Sequence, residues 1–125
     1  MAELRYSFLL FFMISACSQA TSNTKVSINN QLSNCIKIGN PEVIYKSGIP
    51  MLGISHQQLK STSQCGCKSA ISQYSSRLEM DGYKSELLTA KLTFRDKPLI
   101  IPLATSKEII GDYSVLVNFS CALAD

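Results

Sequence analysis

The 125-residue chain has no tryptophan, a single histidine (His56) and no acidic cluster, which removes most of the parts from which acid/base and metal chemistry are built. Twelve basic residues against nine acidic ones leave a formal charge of +3, and the lysines and arginines are scattered rather than gathered into a stripe. Nucleic-acid binding, which needs a dense basic face, is therefore not expected. Charged residues are only 17% of the chain and hydrophobic ones 46%, so disorder is excluded as well. The length suffices for one compact domain and not for two. No internal repeat is visible, which sets aside solenoids and propellers.

What is present begins with an address. After Met1-Ala2-Glu3-Leu4-Arg5 comes the apolar run Tyr6-Ser7-Phe8-Leu9-Leu10-Phe11-Phe12-Met13-Ile14, then the small residues Ser15 and Ala16 before Cys17. An apolar helix of that length rises only about 15 Å, roughly half the hydrocarbon thickness of a bilayer, so it suits an export signal rather than a membrane span. Ile14-Ser15-Ala16-Cys17 resembles the lipobox of bacterial lipoproteins, in which the cysteine is lipidated on sulfur and becomes the new N-terminus. On that reading residues 1–16 are a signal peptide and Cys17 carries the lipid. Cleavage after Ser18-Gln19-Ala20 is the alternative, with Cys17 discarded. Several acyl chains would hold the protein firmly, since each buried methylene contributes about 0.8 kcal/mol. Ser18 after the modified cysteine, by resemblance to enterobacterial lipoprotein sorting, points to the outer membrane with the body in the periplasm.

Residues 17–33, rich in Ser, Thr, Asn and Gln, read as a polar tether, and 34–125 as the domain. Within the domain, Leu88, Ala90, Leu92 and Phe94 alternate with Thr89, Lys91, Thr93 and Arg95, the period of a half-buried strand. The last segment repeats it, with Tyr113, Val115, Val117, Phe119 and Cys121 on one face and Ser114, Asn118 and Ser120 on the other. Pro98 and Pro102 bracket an apolar run and, lacking N–H donors, place it at a sheet edge. Lys46-Ser47-Gly48 predicts a hairpin between Val43-Ile44-Tyr45 and the stretch from Ile49 to Ile54. Asp81-Gly82 predicts another, of type I′. Residues 68–80 fit either a helix or a strand; their serines and flanking turns favour the strand. About seven strands result, and the expected architecture is an all-β, immunoglobulin-like antiparallel sandwich stapled by disulfides.

Setting Cys17 aside leaves Cys35, Cys65, Cys67 and Cys121, an even number in an exported chain, so two disulfides are the default. Cys65-Gly66-Cys67 is the one motif with potential activity, because a CxC pair can chelate Cu(I) or act as a readily exchanged disulfide. The structural reading is stronger: in an extended segment both side chains point the same way, each suited to a different distant partner. Of the three connectivities, Cys35 with Cys65 and Cys67 with Cys121 is favoured, although spacing does not decide it. A copper site would recruit His56, Met51 and Met80, but one histidine cannot furnish a blue-copper set, and four zinc thiolates would have to stay reduced. No metal or cofactor is expected. His56 reads as a strand-end or loop residue and Glu79 and Asp81 as solvated, and no Gly-x-Ser-x-Gly elbow exists.

The exported N-terminus, Asn34-Cys35-Ile36, the strand from Ile49 to Ile54, Cys65-Gly66-Cys67-Lys68-Ser69-Ala70 and Phe119-Ser120-Cys121 together resemble a family of small bacterial exported proteins, lipoproteins by their leader, of unknown function. The resemblance spans 34–121, implies the same architecture and brings no site. The expected function is that of a non-catalytic cell-envelope lipoprotein, not an enzyme. It would touch the membrane through its lipid and bind an envelope protein or surface polymer through the proline-marked edge 98–103 or the polar loop 56–64. The alternative is a periplasmic thiol-redox or copper-handling protein using Cys65 and Cys67.

Overall fold

A computed structural model describes residues 24–123. The expected signal peptide, Cys17 and the first residues of the expected tether lie outside this range. Seven strands follow in order, β1 (Val26–Asn30), β2 (Ile36–Lys46), β3 (Ile49–Gln58), β4 (Ser72–Met80), β5 (Tyr83–Leu92), β6 (Leu99–Pro102) and β7 (Ser114–Cys121). A 3-10 turn (Thr62–Cys65) and a one-turn helix, α1 (Lys107–Ile110), complete the described elements. The strands form one sheet of order β1-β7-β4-β5 and a second of order β2-β3-β6. The division into four and three is that of the constant-type immunoglobulin sandwich; the order within each sheet is this chain's own.

The centre of the larger sheet is built from the two clearest alternations. Val115, Val117 and Phe119 of β7 are fully buried and separated by half-exposed residues, and beside them β4 turns Ser72, Tyr74, Ser76 and Leu78 inward. β4 pairs antiparallel with β5 on one side and β7 on the other, so both of its edges are satisfied. That two-sided ladder decides for the strand over the helix at Ser72–Met80, where spacing alone left both open. From the smaller sheet Leu52, Ile54, Leu99 and Ile101 meet this face, and Leu103, Ala104 and Ile110 close one end of the core. In β5 the register shifts opposite Ser76 and Arg77, inserting Leu87, which packs against the core. Lying at the edge, β5 leaves its inner face only partly covered, and Ala90 is exposed.

Two expectations need correction. The tether was expected to reach residue 33, yet Val26-Ser27-Ile28-Asn29-Asn30 forms β1, and Leu32 is only 2% exposed. Val26 and Ile28 pack on the core while Ser27 and Asn29 face solvent; that polar face is what made the composition look like a tether. The sandwich is also not wholly antiparallel, because β1 runs parallel to β7, pairing Val26 with Val115 and Asn30 with Phe119. The first and last strands can do this because the chain leaves β1 for the other sheet, so no tight hairpin joins them.

The turns sit where expected but divide the positive φ angles differently. Ser47 and Gly48 connect β2 to β3 with φ of 51° and 79°, the pair of left-handed residues a type I′ turn requires. At the β4–β5 connection only Gly82 has positive φ, 87°, so that turn is not of the expected type I′, which needs Asp81 left-handed as well. β6 is the edge strand that its prolines announce.

Candidate functional site

The strand ends define two poles. At one, which we call the cystine pole, lie the end of β1, the start of β2, the end of β3, the start of β4 and the end of β7, with the residues between them. At the other, the hairpin pole, lie the turns 47–48 and 81–82, helix α1 and Thr24, where the described chain begins.

All four cysteines of the body are at the cystine pole, joined as Cys35–Cys65 and Cys67–Cys121 across 30 and 54 residues. The segment carrying Cys65 and Cys67 is not extended, as the spacing argument assumed. Ser61 caps the 3-10 turn, its Oγ accepting from the Ser63 N–H at 3.3 Å, and Gly66 ends it with φ of 89°. Gly66 then donates its N–H back into the turn, and Cys67 N bonds Thr62 O at 3.2 Å. A left-handed residue between the two cysteines reverses the chain there, so one bridge runs to the start of β2 and the other to the end of β7. A residue with Cβ is strained in that conformation, which is the physical reason for glycine between them. Neither cysteine of the CxC pair is bonded to the other.

Around the bridges Leu32, Cys35, Ile36 and Cys67 form a small second core, with Phe94 packed beside it. Asn30 braces it, donating Nδ2 to Ile36 O at 2.7 Å and accepting from Leu32 N at 2.9 Å. The N–H groups of Leu59 and Lys60 both donate to Cys35 O, fixing the chain as it leaves β3. His56 lies two residues from the end of β3, as a strand-end residue, and is only 9% exposed. Its Nε2 is 2.7 Å from Asp96 O and its ring meets Phe94 edge-on at 5.4 Å, so it ties the 93–98 connection to the smaller sheet.

Between these braced segments opens a cleft of about 280 Å³, lined by Ile36, Gln58, Ser61, Thr62, Ala70, Thr93, Phe94 and Arg95. Its polar groups are hydroxyls, one amide and one guanidinium, set beside an apolar patch. Such a lining can receive a hydrogen-bonding or acidic side chain against an apolar surface. It includes no carboxylate, imidazole or thiol, so a nucleophile with a base is not assembled there.

The remaining sequence candidates are dispersed. Of the polar loop 56–64, residues through Gln58 belong to β3, and Ser61 and Thr62 reach the cleft. The proline-marked edge is less open than its prolines suggest: Tyr74 donates its hydroxyl to Pro102 O at 2.9 Å, and Ser76 Oγ donates to Leu103 O. Pro102 has no N–H and its carbonyl is taken, which blunts that edge as a template for a further strand. Met51 sits near the start of β3 and Met80 at the end of β4, so neither converges with His56. Among the described residues no group of three or more His, Cys, Asp or Glu could hold a metal ion. Glu79 and Asp81 are exposed beside their turn. No described helix is long and apolar enough to cross a membrane.

Thr62 falls within the polar loop 56–64 named by sequence, but Arg95 was not singled out, because nothing local marks a residue as facing a cleft made by four separated segments. Another feature was legible and missed: Tyr45, Tyr83 and Tyr113 each lie beside a turn signal, Lys-Ser-Gly, Asp-Gly or Gly-Asp, which places all three at strand ends.

The model of one family, described as uncharacterized protein conserved in bacteria (DUF2195), matches residues 10–124. No curated protein and no solved structure matches the chain.

Proposed function

The chain belongs to this bacterial family, and from that premise we propose that it is a non-catalytic module of the cell envelope. It is anchored by lipid on Cys17, facing the periplasm from the outer membrane, and binds another envelope protein through its cystine pole. The observation that carries the reading is the bracing of that pole. Two disulfides, a capped 3-10 turn and the His56–Asp96 contact hold the cleft-forming segments in one arrangement. Loops held this way lose little entropy when a partner binds. Oxidised bridges also agree with the exported leader Tyr6-to-Cys17, since disulfides persist outside the cytosol.

The test is intact mass of the protein from its native envelope, with and without reduction and alkylation, followed by cross-linking to its neighbours. A lipid adduct on Cys17, four cysteines alkylated only after reduction, and a partner captured by the native protein but lost in Arg95→Glu are expected. Recovery of the same neighbours by native, reduced and Arg95→Glu proteins would overturn the interaction role.

A further inference from the structure

We propose that the hairpin pole rests on the surface of the membrane that holds the anchor, with Tyr45, Tyr83, Tyr113, Ile49 and Ile109 as its contact ring; this rests on the lipid-anchor reading of Cys17. The first observation is where the chain joins the body. Thr24 sits at the hairpin pole, its Oγ1 2.7 Å from the Tyr45 hydroxyl, and the next residue, Lys25, accepts from Val115 N at 2.8 Å. Seven residue steps separate Cys17 from Thr24, a reach of at most about 25 Å fully extended, against about 60 Å had the tether run to residue 34. A body held so close presents to the membrane the pole at which its chain enters.

The second observation is what that pole exposes. Single exposed apolar residues are ordinary, but five of the eight large ones in the described chain are here, Tyr45 at 41%, Ile49 at 38%, Tyr83 at 62%, Ile109 at 49% and Tyr113 at 47%. The pairings place them at one end: Lys107 N bonds Gly48 O, Glu79 pairs with Ser114, and Met80 with Tyr83. The only other tyrosine described, Tyr74, is buried in the core. A tyrosine ring is apolar with a polar tip, the combination that settles at the level of lipid headgroups. Glu79, Asp81, Glu108 and Asp112 lie among the lysines of the same pole, so the attraction is apolar and interfacial rather than electrostatic. The cystine pole and its cleft then face away from the bilayer.

The absence of native tryptophan makes the test direct. Full-length protein produced with its own leader, and checked by intact mass for lipid on Cys17, is placed in vesicles of phosphatidylethanolamine and phosphatidylglycerol with brominated acyl chains. Tyr113→Trp and Tyr83→Trp supply single probes at the hairpin pole, and Leu59→Trp a reference at the cystine pole. Contact at interfacial depth predicts that emission at positions 113 and 83 falls by about half, that position 59 is unchanged, and that added salt alters none of these. Vesicle-bound, lipidated protein with no quenching at 113 and 83 overturns the docking while leaving the anchor standing. Equal quenching at all three positions overturns it too, since no pole is then preferred. A blue shift at 113 without bromine quenching, together with chain-to-chain cross-links, assigns the ring to a second copy and overturns it. A mass without lipid on Cys17 removes the anchor reading, and this proposal with it, before any fluorescence is read.

Discussion

At the cystine pole, covalent bonds do what burial does at the hairpin pole. Around the bridges the apolar side chains are few, Leu32, Ile36 and Phe94 among them, and the intervening residues are mostly Ser, Thr, Gln and Lys. A pole of that composition cannot remove enough apolar surface from water to order its long connections. The hairpin pole has no bridge, but its connections are tight and Leu103, Ala104 and Ile110 plug the core beneath them. Small domains combine both solutions where a single core is marginal. The difference teaches which pole is free to vary in chemistry: a segment held by sulfur does not need its side chains for folding, so they remain available for a partner.

The largest effect expected is at the bridges. Replacing Cys67 and Cys121 together by serine releases a 54-residue loop, and in the chain-entropy model costs roughly 4 kcal/mol. The Cys35→Ser, Cys65→Ser pair, closing 30 residues, costs slightly less. Urea unfolding measures both, and amide exchange tests the division between poles. Protection should fall first in residues 59–71 and last in β4 and β7. Uniform loss of protection at both poles would show that they are one cooperative unit and break the comparison.

The counterpart at the hairpin pole is Ile110→Ala. Ile110 is 1% exposed under the loop that leads into β7, and truncating a buried isoleucine costs about 2–5 kcal/mol. The loss should appear in the urea midpoint whether or not the disulfides are reduced. If reduction abolishes it, the plug depends on the bridges and the poles are not separately held.

The sandwich was legible because its central strands carry strict alternation. Val115, Val117 and Phe119 cannot all be buried except on one face of a strand, and Ser47-Gly48 admits little besides a tight turn. β1 was hidden because half of it is polar by design of its solvent face, and its partner β7 lies 89 residues away at Asn29 and Asn118. The cleft was hidden for the same reason on a larger scale, being lined from Ile36 to Arg95 by segments distant in sequence that strand pairing, hydrogen bonds and the bridges bring together. Cys65-Gly66-Cys67 was read with its partners right in the structure's terms, but from an extended geometry that Gly66 does not adopt.

Glycine supplies a finer comparison. Gly66 at the cystine pole and Gly48 at the hairpin pole both have positive φ, and a Cβ built on either meets nothing within 4 Å. Alanine at each is therefore a matter of backbone strain alone, about 1 kcal/mol. Equal losses in thermal unfolding would confirm that both turns are independent of their surroundings. A larger loss for Gly66→Ala would mean that the bridges on either side hold that turn more tightly than hydrogen bonds hold Ser47-Gly48.

The smallest effect lies midway between the poles, where Tyr74 joins the two sheets through its hydroxyl and Pro102 O. Tyr74→Phe should cost about 1 kcal/mol at neutral pH, the worth of one buried hydrogen bond. Burial also pushes the Tyr74 phenol above its ordinary value of 10.0, because the phenolate is poorly solvated there. The folded state consequently holds this proton more tightly than the unfolded one. Its contribution is fully present below the unfolded value and is lost as pH rises through the raised folded value. Phenylalanine has no proton to lose, so the stability gap between the two proteins should narrow above about pH 10. A gap that stays constant in urea titrations across that range would mean that the hydroxyl is hydrated in solution. The two sheets would then be held together by the poles and the apolar core alone.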